Sequence, residues 1–279
     1  LSIIIIYTMR FIHFFEQITI LQKLSWVFGC LFFCWLLEAG IPLFKHSYNK
    51  WKHDGINLVF FSFSALINLL ISLFSVGVFV WIDVMQFGLL HWVVLPIWLE
   101  VLIAVMALDL FGQYVIHFML HRVKWLWKIH MVHHSDTQVD ATTGTRHHPG
   151  DYLTRELMGL LTVFFFGIPV AYWAFYRICS IFFTYWTHAN ITLPVWLEKS
   201  LALVLVTPNM HKFHHHFERP WTDRNFGNIF SLWDRIFGTF IYENPKAIKF
   251  GLDTLDGHRD EDLSYQLGLP FNKNIKTDD

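Results

Sequence analysis

Apolar residues run through this chain in blocks too long for an ordinary amphipathic helix. The clearest is residues 56–82, 27 positions without Asp, Glu, Lys or Arg. A helix of that length exceeds the roughly 30 Å of bilayer hydrocarbon at about 1.5 Å per residue, so the block predicts a membrane span. A second predicted span covers 24–44, with Glu38 near its end and Pro42 closing it; a carboxylate is tolerable there and costly at the centre. Residues 84–96 are apolar but interrupted by Pro96, which predicts an interfacial segment. A third span starts near 97 and reaches His121, with Glu100 and Asp109 inside it or at its edge. Residues 157–187 are apolar for 31 positions, with Arg177 the only charge. About 20 residues suffice for one crossing, and Gly167 and Pro169 break this run. Two packed helices meeting at Gly167-Ile168-Pro169 are therefore expected.

From 188 onward the pattern is mixed and polar, which predicts a cap lying against the membrane. Residues 244–279 carry scattered charges with Pro and Gly and read as a peripheral tail with frayed last residues. The expected fold is all-α and multi-pass. Composition agrees: 54% of the 279 residues are hydrophobic and 15% charged, against about 25% charged in soluble domains. A formal net charge of -1 gives no argument for nucleic acid as a partner. Cys30, Cys34 and Cys179 all lie in apolar runs, so no disulfide framework is expected. Residues 1–8 are apolar but lack a basic leader and a small-residue cleavage site, so they are not read as a secretory signal. The pattern leaves open whether residues 1–20 cross the membrane.

Charge orients the spans. Lys45, Lys50 and Lys52 follow the first span, and Arg122, Lys124, Lys128, Arg146 and Arg155 lie in the 122–156 stretch, whereas 83–96 and 167–169 have no Lys or Arg. The positive-inside rule puts the 122–156 side in the cytosol.

That side carries the chemistry. Twelve of 17 histidines fall within 117–216. His117 and His121 are spaced i,i+4; His130, His133 and His134 are spaced i, i+3, i+4; His211, His214 and His215 repeat that spacing. On helices each set shares a face, while His216 points elsewhere. A break at 167–169 returns the chain to one side, so all three sets can build one site. A structural zinc site needs only four ligands, and eight imidazoles suit two metals. Imidazole suits iron, zinc and copper alike, so the residues alone leave the metal open. A dimetal, oxygen-activating site explains the excess. His188 is placed either as a ninth ligand or as packing beside the ligands. Asn190 can orient a ring or bind water. His148, and less so His147, can cap the site or bind a metal. Asp109 reads equally as a carboxylate orienting a ligand ring or as a plain contact between helices. Asp136 and Arg146 are weaker candidates for supporting the ligands. His13, His46, His53, His91 and His258 stand alone and read as ordinary core or solvated histidines.

These residues resemble the fatty acid hydroxylase / sterol desaturase superfamily of membrane histidine-box di-iron oxygenases. The pattern HxxxH, HxxHH, HxxHH is matched by His117/His121, His130/His133/His134 and His211/His214/His215. LWKIHMVHHSD (126–136), RHHP (146–149), HAN (188–190), TPNMHKFHHH (207–216) and FGNIFSLWDRIFGTF (226–240) are similar to blocks of that family, over roughly residues 85–243. The resemblance implies that these eight histidines are catalytic ligands of two iron ions, with His188 the additional metal ligand. It implies O2 as co-substrate, electrons from an external donor (cytochrome b5-, ferredoxin- or reductase-like), and oxidation of a membrane lipid such as a fatty acyl, sterol or ether lipid. It also implies three regions: an N-terminal transmembrane region 1–83, a catalytic domain 84–243 and a peripheral tail 244–279. Two positions depart from the family pattern. Phe118 stands where Arg commonly follows the first histidine, and His147 stands where an aromatic is usual. Hydroxylation or a related monooxygenation is the preferred chemistry. The rival readings are a lipid desaturase, a zinc-dependent membrane hydrolase, and a non-enzymatic lipid-binding or metal-storage protein.

Overall fold

The computed structural model describes residues 2–45 and 48–277, with side chains from residue 9 onward. Apart from two isolated bridges, Pro42 with Ile191 and Leu205 with Phe230, the regular structure described is helical. Three helical stretches are long and apolar enough to cross a membrane: Ile20–Gly40, Lys50–Trp92 and Ile97–Arg122. Their outer faces leave Phe28, Phe32, Leu66, Leu69, Leu73, Phe74 and Leu102 exposed. Together they make the architecture of a multi-pass membrane protein with a histidine-rich cap.

The helix ends differ from the apolar runs because caps, not hydropathy, set them. Thr19 and Gln22 form a reciprocal capping box, so the first span begins at Ile20 rather than 24. It stops at Gly40, just before Ile41-Pro42, where the residue preceding proline disfavours the helical region. The second begins at Lys50, capped by Asn49, and runs 36 residues to Met85. That is roughly 54 Å, well beyond the hydrocarbon. Its charged first turns are helical because His53, Asp54 and Asn57 are buried in the cap. A short turn of helix, Leu89–Trp92, occupies the interfacial segment. In the third, Leu110–Val115 is a π-helical stretch between Ile97–Asp109 and Ile116–Arg122, and such insertions recur near functional sites.

The predicted hairpin is present as Pro149–Phe166 and Val170–His188. Gly167 ends the first arm with φ +64, and a Cβ there would lie 2.4 Å from the carbonyl oxygen of Phe87, so only glycine fits this left-handed cap. Neither arm is among the three span-length helices. Ser2–Glu16 lies along the second arm, with Phe11 and Phe15 each 5.3 Å from Phe175. Ile82, Leu108, Val163, Ile168, Tyr172 and Tyr176 form the core between the hairpin and the second and third spans.

The cap contains Lys124–His134, a 3-10 turn Ala141–Thr145 and Pro208–His214. Residues 244–277 lie against it: Leu269 packs with Val132 and Phe60, and the Ser135 hydroxyl donates to Gln266 at 2.8 Å.

Candidate metal centre

Nine histidines converge in two adjacent groups. His117, His121, His130, His134 and His214 form one; His133, His188, His211 and His215 form the other. Within each group, one ring nitrogen per residue lies within 4.8 Å of all the others. The helical spacing explains the division. Residues i and i+4 project 40° apart, and i+3 lies on the other side of i. His130 and His134 therefore serve the five-membered group while His133 reaches the other. The last box does the reverse, with His211 and His215 in the four-membered group and His214 crossing over. Ring centroids of 4.6 Å for His134–His215 and 5.2 Å for His130–His133 bridge the two groups.

Six of the nine rings are steered from behind. The Nδ1 atoms of His117, His133, His188 and His214 lie 2.8, 3.3, 2.7 and 2.7 Å from the carbonyl oxygens of Phe226, Arg146, Thr184 and Arg224. Those of His130 and His121 face the Asp151 and Asp223 carboxylates at 2.8 and 3.3 Å. Acceptors of this kind place the proton on Nδ1 and leave Nε2 as a bare lone pair pointing inward.

Those bare nitrogens face one another. His117 and His130 approach at 3.1 Å between Nε2 atoms, as do His133 and His188. With both protons already committed on Nδ1, each contact sets lone pair against lone pair. The Nε2 atoms of His121 and His214, and both ring nitrogens of His134 and His215, are buried without a partner. A cation answers this. Two nitrogens each about 2.1 Å from a metal, at 90–109°, lie roughly 3.0–3.4 Å apart. The residues fit metal ions in both groups.

Protonation agrees. Burial, reinforced by neighbouring imidazoles, holds His133, His134, His211, His214 and His215 well below the ordinary histidine range. Burial lowers His130 to about 3 despite Asp151. Neutral imidazole is the ligating form. Burial alone would raise Asp151, but Arg155, His130 and His147 outweigh it and hold the carboxyl well below its usual range.

The neighbouring residues separate into those the sequence anticipates and those it does not. His147, not His148, sits beside the centre: its ring stacks on His133 at 4.6 Å and its Nδ1 faces Asp151 at 3.0 Å. His148 instead caps the 149–166 helix by accepting from the Gly150 N–H. Asp109 orients no ligand ring. It accepts from the backbone of Ile229 and Phe230, from the Trp233 indole and from Tyr176, tying the third span to the 229–233 turn and the hairpin. Asn190 likewise turns away from the rings and pairs with the backbone of Phe44. Arg146 is fully buried; it donates to Val132, Asn57, Ser135 and Asp260 while its carbonyl faces His133. His53 is a core histidine with a role: its Nε2 meets Asp136 at 2.9 Å, and Asp136 also accepts from Thr143. The signal for it was a polar run, His53, Asp54 and Asn57, leading into an apolar helix. Lys212, between His211 and His214, is buried and donates to the carbonyls of Ala189 and Pro208. His216 points away and accepts from Glu218 N–H, as its spacing predicts. His13 and His258 are exposed, and His46 lies outside the described residues.

Comparison with known proteins follows the same residues. A family model described as fatty acid hydroxylase matches residues 101–239. The chain is 31% identical over 142 residues to alkylglycerol monooxygenase of Homo sapiens, covering 51% of this chain and 31% of that protein. It is 26% identical over 163 residues to ornithine lipid hydroxylase OlsE of Rhizobium tropici, covering 58% and 48% respectively. It is 29% identical over 154 residues to alkylglycerol monooxygenase of Danio rerio, covering 54% and 32%. The chain thus spans less than half the length of each of these relatives. No solved structure matches it.

Proposed function

The chain belongs to the fatty acid hydroxylase family, and on that premise we propose that it is a membrane oxygenase that uses O2 to oxidise a lipid at a pair of iron ions. His117, His121, His130, His134 and His214 hold one ion, and His133, His188, His211 and His215 hold the other. The observation carrying this reading is the set of inward-facing, proton-free Nε2 atoms, 3.1 Å apart in His117–His130 and His133–His188. When bound, the iron pair supplies O2 activation and the oxidising equivalents needed to attack an unactivated C–H bond.

The chain's own residues do the positioning. Backbone carbonyls and the Asp151 and Asp223 carboxylates fix the orientations of six of the nine rings. Every one of the nine rings is buried, which excludes water from the centre. The apolar flanks of the 97–122 helix and the hairpin guide an acyl or alkyl chain toward it. Electrons come from an external donor of the cytochrome b5, ferredoxin or reductase type. Residues 84–243 carry the catalysis, 1–83 anchor it, and 244–279 cover it from outside. The distribution of Lys and Arg supports a cytoplasmic position for the centre. Oxygen insertion is preferred to desaturation because the relatives above are named monooxygenases and hydroxylases.

The test is metal content together with oxygen uptake. Protein purified in detergent should carry about two iron ions per chain and consume O2 with reductant and lipid present. His133→Ala should lose metal from the four-membered group and abolish uptake. Zinc in place of iron, with no oxygen uptake, would overturn the oxygenase reading.

A further inference from the structure

A second polar group, distinct from the histidines, joins the helices that carry Asn68, Tyr152 and Arg177. Asn68 stands midway along the 56–82 run and is exposed. Its Nδ2 donates to the Tyr152 hydroxyl at 3.0 Å. The same oxygen accepts from Arg177 Nη2 at 3.2 Å, and Arg177 Nη1 pairs with Glu156. Three helices thus meet through polar contacts at a depth where neighbouring side chains are Leu, Phe and Ile. Ser64, one turn before Asn68 on the same helix, is buried, and its hydroxyl has no hydrogen-bond partner.

A plain staple between helices would close its own hydrogen bonds, since hydrocarbon offers none. This group does not. Tyr152 accepts twice, so its own proton remains free to donate. Asn68 uses only its amide nitrogen, leaving Oδ1 as an acceptor. Ser64 offers both functions. The Arg177 side chain is 25% exposed, with its charge balanced by Glu156. An anionic head would meet that carboxylate as well as the guanidinium. A neutral group that both donates and accepts suits the residues: a hydroxyl, with or without an adjacent ether or ester oxygen.

We propose that Ser64, Asn68, Tyr152 and Arg177 form an intramembrane site for the uncharged, hydroxyl-bearing head of the lipid substrate. The proposal rests on the reading above that the substrate is a membrane lipid. Its position fits that role. Tyr152 follows Asp151, whose carboxylate faces His130, and Glu156 lies four residues beyond Tyr152, roughly 6 Å along the helix axis. The site thus holds the head of the lipid toward the end of the 149–166 helix that carries Asp151.

Binding tests this without turnover. The full chain, stripped of metal and held in nanodiscs, is titrated with 1-O-hexadecylglycerol, cholesterol and palmitate, with bound lipid read by native mass spectrometry. One or both hydroxyl lipids should bind and palmitate should not, the two neutral probes distinguishing a glycerol head from a sterol hydroxyl. Tyr152→Phe and Asn68→Leu, which keep the packing volume, should each weaken binding about three- to tenfold. Palmitate binding as tightly as the hydroxyl lipids, no lipid binding, or wild-type affinity in both variants would overturn the site. Lipid conversion by the iron-loaded chain is scored separately, so a failed site with intact turnover is distinguishable from a failed oxygenase reading with intact binding.

Discussion

Asp151 joins three side chains beside the centre, its carboxylate facing His130, His147 and Arg155 at 2.8–3.0 Å. Asp151→Asn should weaken metal retention about 10–100-fold, read by competition with a chelator; unchanged retention would remove the carboxylate from the account. Gly144 backs the other group. A Cβ there would lie 2.8 Å from the Thr184 carbonyl oxygen and 3.3 Å from His188 Nδ1. That carbonyl belongs to a helix and cannot yield cheaply. Gly144→Ala should destabilise the protein by about 1–3 kcal/mol and reduce metal content from two ions toward one. The ring-bearing residues were legible in the sequence because ligands at i, i+3 and i+4 leave a visible pattern. The division into five and four was not, because a shared helix face spans both groups. The steering carbonyls of Phe226, Arg146, Thr184 and Arg224 were also invisible, since any residue carries a carbonyl. His147 and His148 could not be ranked because adjacent residues differ only in where the backbone turns.

At the scale of elements, hydropathy located the spans and the Gly167–Pro169 break, while the ends depended on caps and on the cap region's polar interior. The clearest case is the helix beginning at Lys50, whose first turns enter the protein rather than the membrane. There His53 joins Asp136, and Asp136 in turn holds Thr143 and the Gln138 N–H in the stretch leading to Arg146. His53→Ala leaves a buried carboxylate without its main partner, and should cost about 3–5 kcal/mol in a reversible unfolding measurement. A cost below 1 kcal/mol would mean that the pair does not hold the loop. Asp109 teaches the converse. Its place two turns before His117 suggested a role at the rings, yet its oxygens are taken by Ile229, Phe230, Trp233 and Tyr176. Those partners come from segments far apart in sequence, and no local pattern announces them.

For the whole molecule, the buried histidines bear on acid stability. His130 titrates near 3 when folded, and the other five cap histidines of the boxes lie well below 6.5. Between those limits the unfolded chain takes up protons that the folded chain refuses, so folding weakens as pH falls. Metal-free protein should lose thermal midpoint progressively as pH falls from about 6.5 toward 3; a midpoint unchanged between pH 7 and pH 5 would contradict the buried, neutral state of these rings. The family relationship and the dimetal arrangement speak for a lipid oxygenase, and oxygen transfer is the property to measure. Membranes containing the intact chain or its His133→Ala variant are supplied with isotopically labelled O2 and reductant, and extracted lipids are analysed by mass spectrometry. Labelled oxygen should appear in a lipid, or in its cleavage product, only with the intact chain. Absence of label from every lipid, or equal labelling with the variant, would contradict oxidation at this centre.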